Sequence, residues 1–134
     1  MGSRGPASQR RSLFMPFQYV LANLLADHPD AVGVLFLDDT GETVDFACAE
    51  GSPYEMQLLG AYLGIYLRQV GRIVTSANLG SIHWFHIERS HRHLHVTVLP
   101  DGYYLVLVQR QPAQIATARE SLRRAAIQLA REVF

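Results

Sequence analysis

Five of the six histidines of this 134-residue chain fall between His83 and His95, in the run IHWFHIERSHRHLH. Imidazoles gathered beside a carboxylate can ligate a transition metal, and they change charge near neutrality. Strand geometry decides which of them can meet, because successive side chains point to opposite faces. A turn centred on Ser90 and His91 sets Glu88 opposite His93, His86 opposite His95 and Trp84 opposite Thr97. One face then gathers His86, Glu88, His93 and His95, and the other holds His83, Phe85, Ile87, Leu94, Val96 and Val98. Three uses compete for the polar face: a metal site with those four residues as ligands, a plain polar sheet surface, and a pH-sensitive interface. The plain surface is the favoured expectation, because no second cluster completes a known metal spacing. No cofactor is therefore expected.

Other catalytic chemistry is missing. The chain holds no phosphate loop, GxSxG elbow, paired cysteines or HExxH helix. Asp38 and Asp39 are adjacent carboxylates, yet in an extended segment they face opposite ways and suit a turn better than catalysis. Glu42 and Asp45 read as solvated hairpin residues. A non-enzymatic protein is the expectation. The lone cysteine, Cys48, permits no disulfide framework and fits a reducing, cytoplasmic setting. Twelve basic residues balance twelve acidic ones, without the basic patch that nucleic acid requires, and no apolar run is long enough to span a bilayer.

The elements that must position these residues follow from periodicity. Residues 1–11, MGSRGPASQRR, have little to bury and read as a disordered arm, leaving 12–134 as a single domain. From a cap at Ser12, Phe14, Phe17, Leu21 and Leu24 recur at helical spacing up to Asp27-His28-Pro29. Val32 to Leu37 is a continuous apolar strand, Asp38-Asp39-Thr40-Gly41 a turn, and Thr43 to Cys48 an alternating strand. Ser52 and Pro53 open a second helix, Tyr54 to Val70, that is apolar nearly all round and so needs two partners. Gly60 and Gly64 sit one turn apart in it, each costing about 1 kcal/mol relative to alanine. They offset that cost by letting another helix come close or by seating the helix on its own sheet. Three more strands follow, Ile82 to Glu88, Leu94 to Leu99 and Tyr103 to Val108. After Pro112 a last helix carries Ile115, Ala118, Leu122, Ala125, Ala126 and Leu129 on one stripe, with Glu120 and Arg124 placed for an ion pair.

This order, with the hairpin VGVLFLDDTGETVDFACAE after the first helix, resembles the Roadblock / dynein light chain family over residues 13–134. The resemblance implies an α+β fold in three α/β/α layers. Its five-stranded antiparallel sheet, in the order α-β-β-α-β-β-β-α, carries the central helix on one face and the outer helices on the other. It also implies a homodimer joined edge to edge through the first strand of the meander, here Ile82 to Glu88, with the central helices packed together. The dimer contact would then include Met56, Gly60, Leu63, Gly64, Leu67, Ile82, Trp84 and His86. Bacterial members act with Ras-like small GTPases, some as activating proteins, so a regulator or scaffold for such a GTPase is implied.

Tyr62, Tyr66 and Gln69 share one stripe of the central helix and are the expected partner-binding residues, with dimer packing as their competing role. Arg68 and Arg72 lie near the end of that helix, where basic side chains are favoured in any case. The alternative from another class is a metal- or small-molecule-binding sensor that uses the histidine face and Trp84.

Overall fold

In the computed structural model, residues 17–49, 51, 53–110 and 114–133 are described. The expected arm over 1–11 and the expected helix starts at Ser12, Ser52 and Pro112 lie outside the described residues. Helix α1 covers residues 17–26 and ends ahead of Pro29. Strands β1 (Ala31–Leu37) and β2 (Thr43–Cys48) form the first hairpin. Its turn is tied by the Asp38 carboxylate, which accepts from the Thr40 N–H at 2.9 Å, the Thr40 hydroxyl at 2.7 Å and the Glu42 N–H at 2.9 Å. Burial raises the Asp38 carboxyl, and these hydrogen bonds outweigh it, leaving the group below its ordinary value. Asp38 thus serves the turn, as its position suggests.

Helix α2 (Pro53–Ser76), strands β3 (Trp84–Glu88), β4 (Arg92–Val98) and β5 (Tyr104–Arg110), and helix α3 (Ile115–Val133) complete the order. Helix α2 runs one and a half turns past Val70, because Val70, Ile73 and Val74 keep the apolar spacing alive. It stops where Asn78 takes a left-handed conformation at φ 57°. Strand β3 begins at Trp84, two residues later than Ile82. On α3, Glu120 pairs most closely with Arg123, at 2.6 Å, and Arg124 stands 3.9 Å away.

The sheet is antiparallel throughout, in the order β2-β1-β5-β4-β3. Below it, α1 and α3 bury Phe17, Leu21, Leu122 and Leu129 against Val34, Phe36, Leu105 and Leu107. Above it, α2 buries Met56, Leu63 and Leu67 against Leu35, Leu37, Val96 and Val106. This is the three-layer α+β architecture expected from the sequence. Strands β2 and β3 are the sheet edges. On β2 the Phe46 N–H donates to the Asp45 carboxylate at 2.8 Å rather than to a neighbouring strand.

The glycine pair of α2 answers to its own sheet. A Cβ at Gly60 would stand 2.7 Å from the Thr43 hydroxyl. One at Gly64 would strike the Gly41 carbonyl oxygen and lie 2.8 Å from the Gly41 Cα, backbone that cannot swing aside. Gly41 in turn sits at φ +88°, so both partners of this contact need glycine. Gly64→Ala is therefore expected to cost about 1–3 kcal/mol of unfolding free energy through overpacking. Gly71→Ala, in the same helix with nothing within 4 Å of the new Cβ, should gain about 1 kcal/mol from helix propensity. Urea denaturation of the two variants measures both, and equal effects would contradict the seating of α2 on the hairpin turn.

Candidate functional site

Two groups of side chains stand out, one on each face of the strands β3 and β4. On the α2 side the helix lies over β1 and β2, so it covers only part of the sheet. Phe85 and Ile87 of β3 reach the core beneath α2 but stay half-buried. Along the adjoining side of α2, Leu59, Tyr62, Tyr66, Val70 and Ile73 recur at helical spacing. Of these, Tyr62 (57%), Tyr66 (60%) and Ile73 (64%) are the most exposed. Grooves of about 460 and 240 Å³ flank this corner. Leu59, Arg89, Arg92 and Leu94 line the first, and Gly71, Val74, Ile82 and Phe85 line the second. A helix stripe and a strip of sheet thus form one apolar corner beside the free edge of β3.

Met56, Gly60, Leu63, Gly64 and Leu67 are all buried against the chain's own sheet. Of the other three, Ile82 lines the smaller groove on the α2 side, whereas Trp84 and His86 point to the opposite face. Spacing puts the small residues on one side of the helix but does not say what comes against them. Val70, Ile73, Phe85 and Ile87 belong to this apolar corner and were not among the residues expected at a contact. The apolar character of α2 on a second side was the signal for the first two.

On the α1 and α3 side lies the histidine hairpin. Its register is the expected one, with Trp84 opposite Thr97, His86 opposite His95 and Glu88 opposite His93. The face is not a solvated surface, however. His93 and His95 are buried, the latter at 0% exposure, because α3 packs over β4. The rings of His86 and His93 lie 5.0 Å apart and those of His86 and His95 4.9 Å apart, near-parallel in both cases. His86 Nε2 and His93 Nδ1, at 2.8 Å, share one hydrogen. Trp84 stacks on His86 at 6.4 Å and carries the Arg119 guanidinium of α3 over its ring at 4.5 Å.

A short chain of hydrogen bonds fixes the deepest ring. The Gln109 amide nitrogen donates to Asp30 Oδ1 at 3.0 Å, and a carboxylate can only accept. Gln109 Oε1 therefore faces His95 and accepts from its Nε2 at 2.6 Å. His95 Nδ1 is left as a buried lone pair with no partner among the described residues, and the His28 Nε2 and the Trp84 Nε1–H donor are likewise buried without one there. Burial pushes the His95 imidazole down to about 4, helped by His86, His93 and His28 and opposed by Gln109. Burial and His93 likewise hold His86 below its ordinary value, against the pull of Glu88. The alternative ligand set of His86, Glu88, His93 and His95 does not converge on a point. Among the described residues, no three His, Cys, Asp or Glu side chains could hold a metal ion. Gln109, Asp30, His28 and Arg119 were missed, and only Gln109, polar after the apolar run of β5, carried a local signal.

Together, the sheet and helices make a three-layer fold whose central helix keeps one side exposed. No protein-family model matches the sequence, and a search of curated proteins finds no match. Solved structures do match. Myxococcus xanthus MglB superposes with a TM-score of 0.79 at 16% identity, covering 88% of this chain and 87% of that one. A structure described as MglB with tetrameric arrangement gives 0.79 at 19% identity over 90% of this chain and 89% of that one. The Roadblock/LC7 domain from Streptomyces avermitilis gives 0.72 at 15% identity over 83% and 92%. At such identities the likeness is one of fold. No described helix is long and apolar enough to cross a membrane.

Replacing Gln109 with leucine removes the one hydrogen-bond partner that His95 has among the described residues, and the donor to Asp30. Gln109→Leu should lower stability by about 1–3 kcal/mol at pH 7.5 in urea denaturation, since it leaves a buried ring nitrogen unpaired.

Proposed function

We propose that the chain is a homodimeric, non-enzymatic regulator or scaffold of the cytoplasm that binds a Ras-like small GTPase. The observation that carries this reading is the apolar corner between α2 and β3, set in a fold shared with MglB. The occupant of that corner is a second copy of the chain. A two-fold contact needs a self-complementary patch, and here each copy offers both halves of one: the stripe Tyr62, Tyr66, Val70 and Ile73, and the half-covered strip Phe85 and Ile87. Strand β3, a sheet edge, stands alongside to pair with its counterpart. The tetrameric arrangement described for one MglB structure supports self-association as a property of this architecture.

Tyr62 and Tyr66 then belong to the contact between copies. Gln69 stays on the outward side of α2 with the exposed Leu58 and Ile65, followed by Arg68 and Arg72. This outward side is the docking surface for the GTPase. An apolar centre with basic flanks suits a partner surface that is apolar and rimmed by carboxylates.

Two variants separate the surfaces. Tyr66→Glu should convert a dimer to a monomer in light scattering, weakening association by roughly 30-fold or more, as for an aromatic anchor replaced by a charge. Ile65→Glu should leave the dimer intact while weakening binding of a Ras-like GTPase from the same organism by about tenfold or more in calorimetry. A wild-type protein that is monomeric at micromolar concentration would remove the homodimer. A dimer that binds no such GTPase in either nucleotide state would remove the regulator.

A further inference from the structure

Strand β3 is the least anchored strand of the sheet. It is five residues long, among the described residues it pairs with β4 alone, and its side chains on the α3 face are Trp84, His86 and Glu88. His86 is joined to β4 through a hydrogen shared with His93 and through ring contact with both His93 and His95. We propose that the stack of His86, His93 and His95 is an acid-sensitive clasp, which holds β3 on the sheet while neutral and releases it when charged. For its consequence in the assembly the clasp rests on the reading above, since β3 is the strand that meets the second copy.

The geometry gives the reason. The facing nitrogens of His86 and His93 can share only one hydrogen. When both rings are doubly protonated, both facing nitrogens carry one, the bond is lost and two cations meet. His95 is worse placed. Its Nε2 hydrogen already goes to Gln109, so an added proton enters at Nδ1, buried and without an acceptor. The surrounding charges do not relieve this. Arg119 of α3, over Trp84, and His28, ahead of β1, add positive or potentially positive charge. Asp30 is engaged with Gln109, and Glu88 at the exposed end of β3 offsets only His86. Lifting β3 exposes the rings to water and removes the conflict, so protons are taken up by the opened form.

The sign follows from the direction of the effect. A histidine held below its ordinary value leaves the closed form at full stability above pH 6.5. The closed form then weakens as pH falls toward about 4, the value for His95. Most carboxylates stay ionised down to pH 5, so the histidines dominate between pH 7.5 and 5.0. At pH 5.0, about 1.5 below the ordinary imidazole value, His95 alone favours the opened form by up to about 30-fold.

Amide hydrogen exchange of the full chain tests this, with rates corrected for intrinsic pH dependence. Protection of residues 84–88 should fall about tenfold to 30-fold between pH 7.5 and 5.0 relative to β1 and β5. In His86→Gln/His93→Gln/His95→Gln, which removes all three rings of the stack, the relative loss should be markedly smaller. Should that variant fold poorly, the wild-type comparison of β3 with β1 and β5 decides alone. Equal loss in all strands, or unchanged protection of β3, would overturn the clasp. Light scattering in the same samples separates the two readings. A protein monomeric at pH 7.5 removes the homodimer and leaves the exchange result standing. A dimer at pH 7.5 that dissociates at pH 5.0 only with the histidines present supports both.

Discussion

The close approach of Gly64 to the backbone of Gly41 sets the position of everything around it. Neither residue tolerates a side chain there, so the middle of α2 is pinned onto the turn of the first hairpin. A helix pinned over β1 and β2 cannot also cover β3, because a sheet of five strands about 4.8 Å apart is wider than one helix of roughly 10 Å diameter. The exposed strip at Phe85 and Ile87 and the bare stripe of α2 are two sides of one geometric fact. Sheet and helix are left half-covered in adjoining places.

The opposite face shows the complementary situation. There α1 and α3 cover the sheet, and the strand that would complete the apolar layer, β4, presents His93, His95 and Thr97 instead. The fold accommodates this by pairing every group it can, with Gln109 and Asp30 supporting His95 from the neighbouring strand and turn. Among the described residues, three buried nitrogens remain unpaired, on His28, His95 and Trp84. Buried polar groups without partners are costly, and their presence in a layer otherwise built of apolar side chains sets this region apart from a plain core.

Much of this was legible in the sequence. Alternation alone fixed the pairing of His86 with His95 and Glu88 with His93, because a slip by one residue would have put Phe85 and Ile87 on the wrong face. The five strands and the order of helices follow from period and turn chemistry. The depth of the histidines was not legible, since burial of a strand face depends on where α3 lands, and that is set by long-range packing. Nor was the role of Gly64. Its partner Gly41 lies in a turn well before the helix, and one sequence does not reveal which small residues meet across such a gap. The ends of α2 and β3 were misjudged for a local reason: the segment after Val70 keeps helical spacing while mixing in Gly71 and Arg72.

Strand β2 closes one margin of the sheet differently from β3. The Asp45 carboxylate takes up the Phe46 N–H, which would otherwise stand ready for a neighbouring strand. An approaching strand would have to displace that bond and meet a carboxylate. The β2 margin is thereby less open to pairing than the β3 margin. A carboxylate that takes up the outward N–H of an edge strand is one way such an edge is kept from open-ended sheet growth.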